Sequence, residues 1–287
     1  ASEPGKADNT SDPKVVGVDT SKLKDSIDKA EDPTIGGKDG ANLKPDENKV
    51  DKELKEALDK AKEVKEKGDN GDSNTDQKAV DKAKEDLDKA IAQKEADTAV
   101  DKAKDNPTPE NIKDAQDKID AIPGSKDPKA KDYNPIKKDL QDKLDLIKII
   151  KEAEKETQKE GYKDKPTQDK TALEKAIADG KENLKNNTKI TESTNTIQEK
   201  LNIIRMERIV VGVDSLAVGI KTLKIKTSVP GATVKIKIDG VLIDTIKTDA
   251  YGTFSKGLEA AIQEDQEIVL EASKPGYNDG NFKDNVY

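Results

Sequence analysis

Apolar residues in the first two thirds of the chain recur at intervals of three and four positions between charged residues. This spacing places them on one face of an α-helix. From about residue 19 to residue 207 the pattern predicts seven helices, in the order short, short, long, short, long, short, short. The apolar stripes of the seven helices are Leu23, Ile27 and Ala30; Leu54, Ala57, Leu58, Ala61 and Val64; Val80, Ala83, Leu87, Ala90, Ile91, Val100 and Ala103; Ile112, Ala115, Ile119 and Ile122; Ile136, Leu140, Leu144, Ile147, Ile150 or Lys151, and Ala153; Leu173, Ala176, Ile177 and Leu184; and Ile190, Ile197, Leu201 and Ile204.

Capping and breaking residues separate the predicted helices. The stops are the Gly-, Pro- and Asn-rich stretches "KGDNGDSN", "NPTPEN" and "PGSKDP". The predicted first or capping residues are Asp19 to Ser21, Thr75, Thr108 followed by Pro109, Thr167, and either Thr188 or Thr191.

The two long helices suggest how the helices are grouped. The third runs from about Asp76 to Asn106, and the fifth from about Pro135 to Glu160. A helix of roughly 30 residues is about 45 Å long at 1.5 Å per residue. The order of lengths is explained if three antiparallel three-helix bundles follow one another and each long helix belongs to two bundles. The fold class we predict for this part is an elongated rod of about three tandem three-helix bundles that share long helices.

The pattern changes to a period of two after Arg208, which is typical of half-buried β-strands. The alternating runs are "IVVGV", "LKIKTSV", "TVKIKIDG", "VLIDTIKT" and "EIVLEAS", separated by turns such as Pro230-Gly231 and Asp239-Gly240. Short strands at this spacing predict an antiparallel β-sandwich of the immunoglobulin-like type. The predicted fold class is therefore multidomain, mostly α and then β.

Composition limits the function. The 287 residues are 39% charged, 31% hydrophobic and 2% aromatic, and His, Cys and Trp are absent. So few rings suit the thin core of a helical bundle, and the commonest general base and metal ligand is missing. The net charge of −8 and the interleaving of Lys with acidic residues argue against a nucleic-acid partner. No apolar run approaches the roughly 18 residues of a membrane-spanning helix.

Candidate chemical sites are few. Paired carboxylates occur throughout the predicted solvated helix faces, and the acid-rich turns "DENKVDKE" and "DNGDSNTD" do not match a calcium-binding loop. We therefore predict no enzyme, with no catalytic, cofactor-binding or metal-binding residues. One covalent alternative stays open, an internal amide bond in the sandwich between a lysine and an asparagine or aspartate, promoted by a buried acid. Its candidate residues are Lys224, Lys226, Glu271, Asn278 and Asn285. The two lysines alternate with apolar residues, so a solvent-facing position is the competing interpretation.

The first helices resemble the FIVAR module of Gram-positive surface proteins. In that module the patterns "L..AI..A", "L..AL..A" and "T...V..A...L..AI" follow in order, and here they read "KLKDSIDKA", "ELKEALDKA" and "TDQKAVDKAKEDLDKAI" within Leu23 to Ala92. The first loop is longer than in the family, and the usual aromatic residue before the second helix is absent. The resemblance implies a three-helix bundle.

Two further resemblances cover most of the remaining chain. Residues 96–150 are similar to a small helical repeat of Firmicutes surface proteins and of some insecticidal crystal toxins, and residues 151–207 resemble a degenerate copy. The stretch "VPGATVKIKIDGVLIDTIKTDAYGTFSKGL", followed by "QEIVLEASKPGY", resembles bacterial immunoglobulin-like domains. The predicted division is a linker or disordered segment at 1–19, a FIVAR-like bundle at 20–95, helical bundles at 96–150 and 151–207, and an immunoglobulin-like sandwich at 208–287.

Together the resemblances imply a segment of an extracellular, cell-wall-associated surface protein that acts as a stalk and adhesin. The partners we expect are host matrix proteins, serum proteins or glycans, and we expect a monomer without a cofactor. Two alternatives are direct binding of a host protein or glycan by an exposed helical face, and a non-catalytic appendage of a secreted glycosidase.

Overall fold

The computed structural model describes residues 17–287, so most of the predicted linker at 1–19 lies outside the described residues. Within them, seven α-helices are followed by seven β-strands in antiparallel sheets, which confirms the prediction of a chain that is mostly α and then β. The helices are α1 (Ser21–Ala30), α2 (Lys49–Asp69), α3 (Gln77–Asp105), α4 (Pro109–Ala121), α5 (Pro135–Thr157), α6 (Thr167–Asn186) and α7 (Ile190–Arg205).

Side-chain caps fix where several helices begin. The Thr108 hydroxyl accepts a hydrogen bond from the Asn111 amide at 3.2 Å, and Pro109 is the first residue of α4, as predicted. The predicted cap at Thr75 is wrong by one residue. Asp76 caps α3 by accepting from the Ala79 amide at 2.8 Å, because its carboxylate is a stronger acceptor at the positive end of a helix. Thr75 is buried.

The last helix begins between its two predicted first residues. α7 starts at Ile190, so Thr191 lies inside the helix and Thr188 precedes it. The Thr188 hydroxyl donates a hydrogen bond to Asn183 Oδ1, on the preceding helix α6, at 3.2 Å.

Two separate hydrophobic cores meet on α3. The first core joins its N-terminal half to α1 and α2, and the second core joins its C-terminal half to α4 and α5. The main residues of the first core are Leu23, Ile27, Leu54, Leu58, Val80, Leu87 and Ile91. Those of the second core are Ala96, Val100, Ala103, Ala115, Ile119, Ile136, Leu140, Leu144 and Ile147. One uninterrupted helix therefore contributes to both cores.

Helix α5 buries more residues than its predicted stripe. Ile136, Leu140, Leu144, Ile147, Ile150 and Ala153 are all buried as predicted, and Leu146 and Ile149 are buried as well. Residues at 146 and 149 lie on a different side of a helix from 140 and 144, because successive residues are about 100° apart. The C-terminal half of α5 is thus covered on more than one face.

The described chain forms two compact units. One contains the residues up to Lys155 together with Ala178–Asn195, and the other contains Glu156–Ile177 and Thr196–Tyr287. The first and second cores lie in the former unit, and all seven strands lie in the latter. The predicted division at residues 95, 150 and 207 stays a prediction.

The strands form two antiparallel sheets. They are β1 (Val211–Val213), β2 (Thr222–Thr227), β3 (Thr233–Ile238), β4 (Val241–Lys247), β5 (Thr253–Gly257), β6 (Glu267–Ser273) and β7 (Gly280–Asn285). The sheet orders are β1-β2-β5 and β4-β3-β6-β7. One hydrophobic cluster contains side chains of both sheets, among them Leu223, Ile225, Val234, Ile236, Ile268 and Leu270.

Five of these strands were predicted from the alternating pattern, and two were not. β5 and β7, with the sequences "TFSKG" and "GNFKDN", each contain a single large apolar residue, so period-two alternation is too weak to reveal them. The predicted turn between β3 and β4 is present. Asp239 and Gly240 both have positive φ, of 49° and 77°, as a two-residue type I′ hairpin requires.

Leu87→Ala tests whether α3 couples the two cores. Leu87 is fully buried in the first core, so its truncation should cost about 2–5 kcal/mol. Because α3 continues into the second core, amide hydrogen exchange should accelerate at residues 96–103 as well as around Leu87. Lys82→Ala, which changes an exposed residue of the same helix, is the control and should change neither region. Acceleration confined to the first core would contradict the coupling.

Candidate functional site

A layer of polar side chains interrupts the apolar stripe of α3 where the first core gives way to the second. Gln93 and Asp97 occupy stripe positions yet are buried, with exposures of 1% and 6%. The Gln93 side chain donates to Glu53 Oε2 at 2.9 Å and accepts from Asn134 Nδ2 at 3.0 Å. We call the following set the polar layer: Asn48, Asp51, Glu53, Gln93, Lys94, Asp97 and Asn134.

The polar layer joins α2 to α3. Asn48 caps α2 by accepting from the Val50 amide at 2.8 Å, and its Nδ2 donates to Asp97 Oδ2 at 3.0 Å. Asp51, one turn into α2, accepts from Lys94 Nζ at 2.6 Å and from the Lys44 amide at 2.8 Å. The cap of one helix is therefore oriented by a buried carboxylate on the next.

The same layer also reaches the start of α5. Asn134 caps α5 by accepting from the Lys137 amide at 3.1 Å, and its Nδ2 donates to the Pro123 carbonyl at 3.0 Å as well as to Gln93. Buried polar groups are costly when they lose their partners. A slide of α3 along its neighbours would break several of these bonds at once, so the layer fixes the register of α2, α3 and α5.

A cavity of about 470 Å³ lies beside the polar layer, within the first compact unit. Its lining combines apolar side chains with charges of both signs. Its lining residues include Asn48, Asp97, Asp101, Lys104, Ile136, Asp139, Leu140, Lys143, Leu184 and Ile190. The volume falls within the range of about 300–1,000 Å³ that is usual for ligand pockets.

Asp97 is a buried carboxylate in the lining of this cavity. Its carboxylate accepts one hydrogen bond, from Asn48, and it forms no ion pair among residues 17–287. Burial raises the pKa of Asp97 above its ordinary value. The Asn48 hydrogen bond opposes this rise, the charge of Asp101 adds to it, and the charges of Lys143 and Lys94 oppose it. Asp101, one turn along α3, is paired with Lys104 at 2.8 Å instead.

The residue types that line the cavity limit the chemistry it can offer. A nucleophile needs an adjacent base, and the chain contains neither His nor Cys. In the part of the chain that the structure describes, no group of three or more acidic residues is placed to hold a metal ion. None of the described helices is long and apolar enough to cross a membrane.

The candidate amide-bond residues lie on different sheets. Lys224 and Lys226 are exposed on β2 of the three-stranded sheet, and Lys226 Nζ pairs with Asp214 at 2.6 Å. Glu271 is on β6 of the four-stranded sheet, where Lys237 Nζ contacts its carboxylate at 2.8 Å. The alternation of β2 turns both lysines away from the hydrophobic cluster that contains Leu223 and Ile225.

The two asparagines are also apart from these lysines. Asn285 is exposed at the end of β7. Asn278 Nδ2 donates to the carbonyls of Ile203 and Met206 at 3.2 and 3.1 Å, at the C-terminal end of α7. Among the described residues, no hydrogen bond or ion pair joins any two of the five candidates.

Asn278 and the polar layer have structural roles that were not predicted from the sequence. Asn278 lies more than 70 positions after α7, so no local pattern connects them. The polar layer, in contrast, could have been found from a pattern in the sequence. Gln93 and Asp97 fall at helical spacing between Ala90 and Val100, and polar residues at stripe positions of a long helix indicate a buried network.

Asp97→Asn tests the electrostatic cost of the layer. Because the pKa of Asp97 is raised in the folded state, the stability contributed by its protonated form is complete below the ordinary value of 3.8 and is lost as the pH rises through the raised value. Asparagine can still accept from Asn48 but carries no charge. We therefore expect a higher melting temperature than wild type at pH 7, by a few degrees, and no difference below about pH 3.8.

The control for this measurement is Asp114→Asn, which removes the same charge from an exposed position on α4. It should leave the melting temperature within error of wild type at both pH values. A lower melting temperature for Asp97→Asn at pH 7 would contradict the account.

No family model matches the chain, and no curated protein is significantly similar to it. Among solved structures, the chain is similar to the complex of Porphyromonas gingivalis RgpB pro- and mature domains, at 11% identity and a TM-score of 0.26. That similarity covers 54% of this chain and 35% of the other.

Proposed function

We propose that this chain is a non-catalytic segment of a bacterial cell-wall-associated surface protein, and that it acts as stalk and adhesin. In this proposal the helices form three three-helix bundles that share α3 and α5, and the two sheets form an immunoglobulin-like sandwich. The segment is extracellular and holds a binding function away from the cell wall.

The contribution of α3 to two cores is the observation that supports the proposal most. A loop between two cores would act as a hinge, because its backbone has few buried contacts. Here the connection is the helix itself, whose backbone hydrogen bonds run on from Ile91 in the first core to Ala96 in the second. A force applied to one core is therefore transmitted to the other through α3, which is the property that a stalk requires.

The connection between α7 and the strands supports it as well. The Asn278 side chain holds the last carbonyls of α7, and its backbone accepts from the Ile209 amide at 3.0 Å and donates to the Glu207 carbonyl at 2.9 Å. Arg205, near the end of α7, pairs with the buried Glu156 at 3.0 Å. The segment after α7 is thus hydrogen-bonded rather than a free linker.

The second candidate function is direct binding of a host protein or glycan by the helical part. The cavity beside Asp97 favours it, because a buried carboxylate without an ion pair, next to apolar side chains, is a feature of recognition sites.

A surface-display experiment tests the stalk role. The chain is placed between a cell-wall anchor and an epitope on a Gram-positive cell, and antibody binding to the epitope is measured. The same measurement is made with a Gly/Ser linker of equal residue number in place of the chain. We expect greater access with the folded chain, because packed helices hold a separation that a flexible chain does not. Equal access would contradict the stalk role.

A binding assay on the same cells separates the two candidates. Serum and matrix proteins are added to cells that display the chain or the Gly/Ser linker. Saturable binding that is lost when one helical face is altered would favour direct recognition by the helices over presentation alone.

A further inference from the structure

We propose that the cavity beside the polar layer binds the side chain of a lysine from a partner polypeptide, with the lysine ammonium on Asp97. This inference goes beyond the stalk role and does not depend on it. It rests on the charge of Asp97, the number of its free acceptor positions and the apolar side chains around it.

The charge of Asp97 calls for a cation. A carboxylate that is 6% exposed is rarely left without an ion pair or several hydrogen bonds, since removing it from water is costly. Asp97 receives one hydrogen bond, from a neutral amide, and no ion pair within residues 17–287. A ligand ammonium would supply the missing charge at the place where the cavity meets the layer.

The free acceptor position favours an ammonium over a guanidinium. An arginine side chain binds a carboxylate best through two parallel N–H bonds, one to each oxygen. Asp97 Oδ2 is already engaged by Asn48 at 3.0 Å, so a bidentate fork would have to displace the cap of α2. A lysine ammonium acts as a point charge and needs only the other oxygen.

The apolar lining suits the rest of a lysine side chain. Ile136 and Leu140 of α5 line the cavity together with the half-buried Leu184 and Ile190. The four methylene groups of lysine pack favourably along apolar surface while the ammonium stays paired. The lining also carries charges of both signs, among them Asp101, Lys104, Asp139 and Lys143, which suit the polar backbone of a polypeptide.

Lys143 is an internal competitor for the same carboxylate. It lines the cavity, and its charge acts on Asp97 without forming an ion pair. Removing that charge by Lys143→Gln should strengthen binding of an external ammonium. A site that recognised only the apolar part of a ligand would not respond in this way.

An NMR titration tests the proposal on the whole ¹⁵N-labelled chain. The probes are Nα-acetyl-lysine N-methylamide and Nα-acetyl-norleucine N-methylamide, which share an aliphatic chain and differ in the ammonium. We expect saturable shifts of the amides of Asn48, Asp97 and Ile136 with the lysine probe, and none with the norleucine probe. Equal shifts with both probes, or no saturable shifts with the lysine probe, would overturn the proposal. This comparison needs no variant.

Three variants assign the site. Asp97→Asn should weaken binding of the lysine probe by about tenfold or more, because the buried charge partner is gone. Asp114→Asn, the matched loss of an exposed charge on α4, should leave the affinity unchanged, and Lys143→Gln should raise it. Unchanged affinity in Asp97→Asn with a wild-type amide spectrum elsewhere would refute the assignment to Asp97.

Discussion

The hydrogen-bonded polar layer in the middle of α3 is the constraint on which the helical part depends. Apolar packing alone would allow α3 to slide along its neighbours, because Leu, Val and Ala side chains are interchangeable in a thin core. Gln93 and Asp97 do not allow this, since their partners lie at fixed places: on α2, at the cap of α2 and at the cap of α5. The layer thus places one helix in two cores at a fixed register, and it leaves one carboxylate beside a cavity.

Much of the helical part was predictable from the sequence. The apolar stripes of α1 to α7 could be recognised because charged residues separate the apolar positions, so that helical spacing is the clearest period in the sequence. Pro109 and the Gly-rich stretches indicated where several helices begin or end. The start of α3 was misplaced because Thr75 and Asp76 are both good capping residues. The folded chain distinguishes them by the bond from the Ala79 amide to Asp76 and by the burial of Thr75. β5 and β7 were missed because pairing with β2 and β6, rather than their own pattern, makes them strands.

The candidate sites were harder to predict, because they depend on residues that are distant in the sequence. Asn278 was a candidate for an amide bond because it lies near the end of the chain. In the structure its side chain instead donates to carbonyls at the C-terminal end of α7. Asp97 resembles the many solvated acids around it, and only the folded structure separates it from Asp101, which keeps a lysine partner. One exposed and one buried carboxylate on the same helix, one turn apart, thus have different electrostatic environments.

Hydrogen exchange across α3 tests the central claim most directly, by comparing wild type with Thr98→Pro and Thr98→Ala. Thr98 is exposed, so neither change removes a buried side chain. Proline at this position removes the hydrogen bond to the Lys94 carbonyl and breaks the helix where the second core begins, at a cost of about 3 kcal/mol or more. In wild type and in Thr98→Ala, we predict that the amides of α1, α2 and α4 exchange through one shared unfolding reaction. Their free energies of exchange, and the dependence of these free energies on denaturant, should then be the same. In Thr98→Pro the two groups should separate. Two separate openings in the wild-type protein, or a single shared opening in Thr98→Pro, would contradict the account.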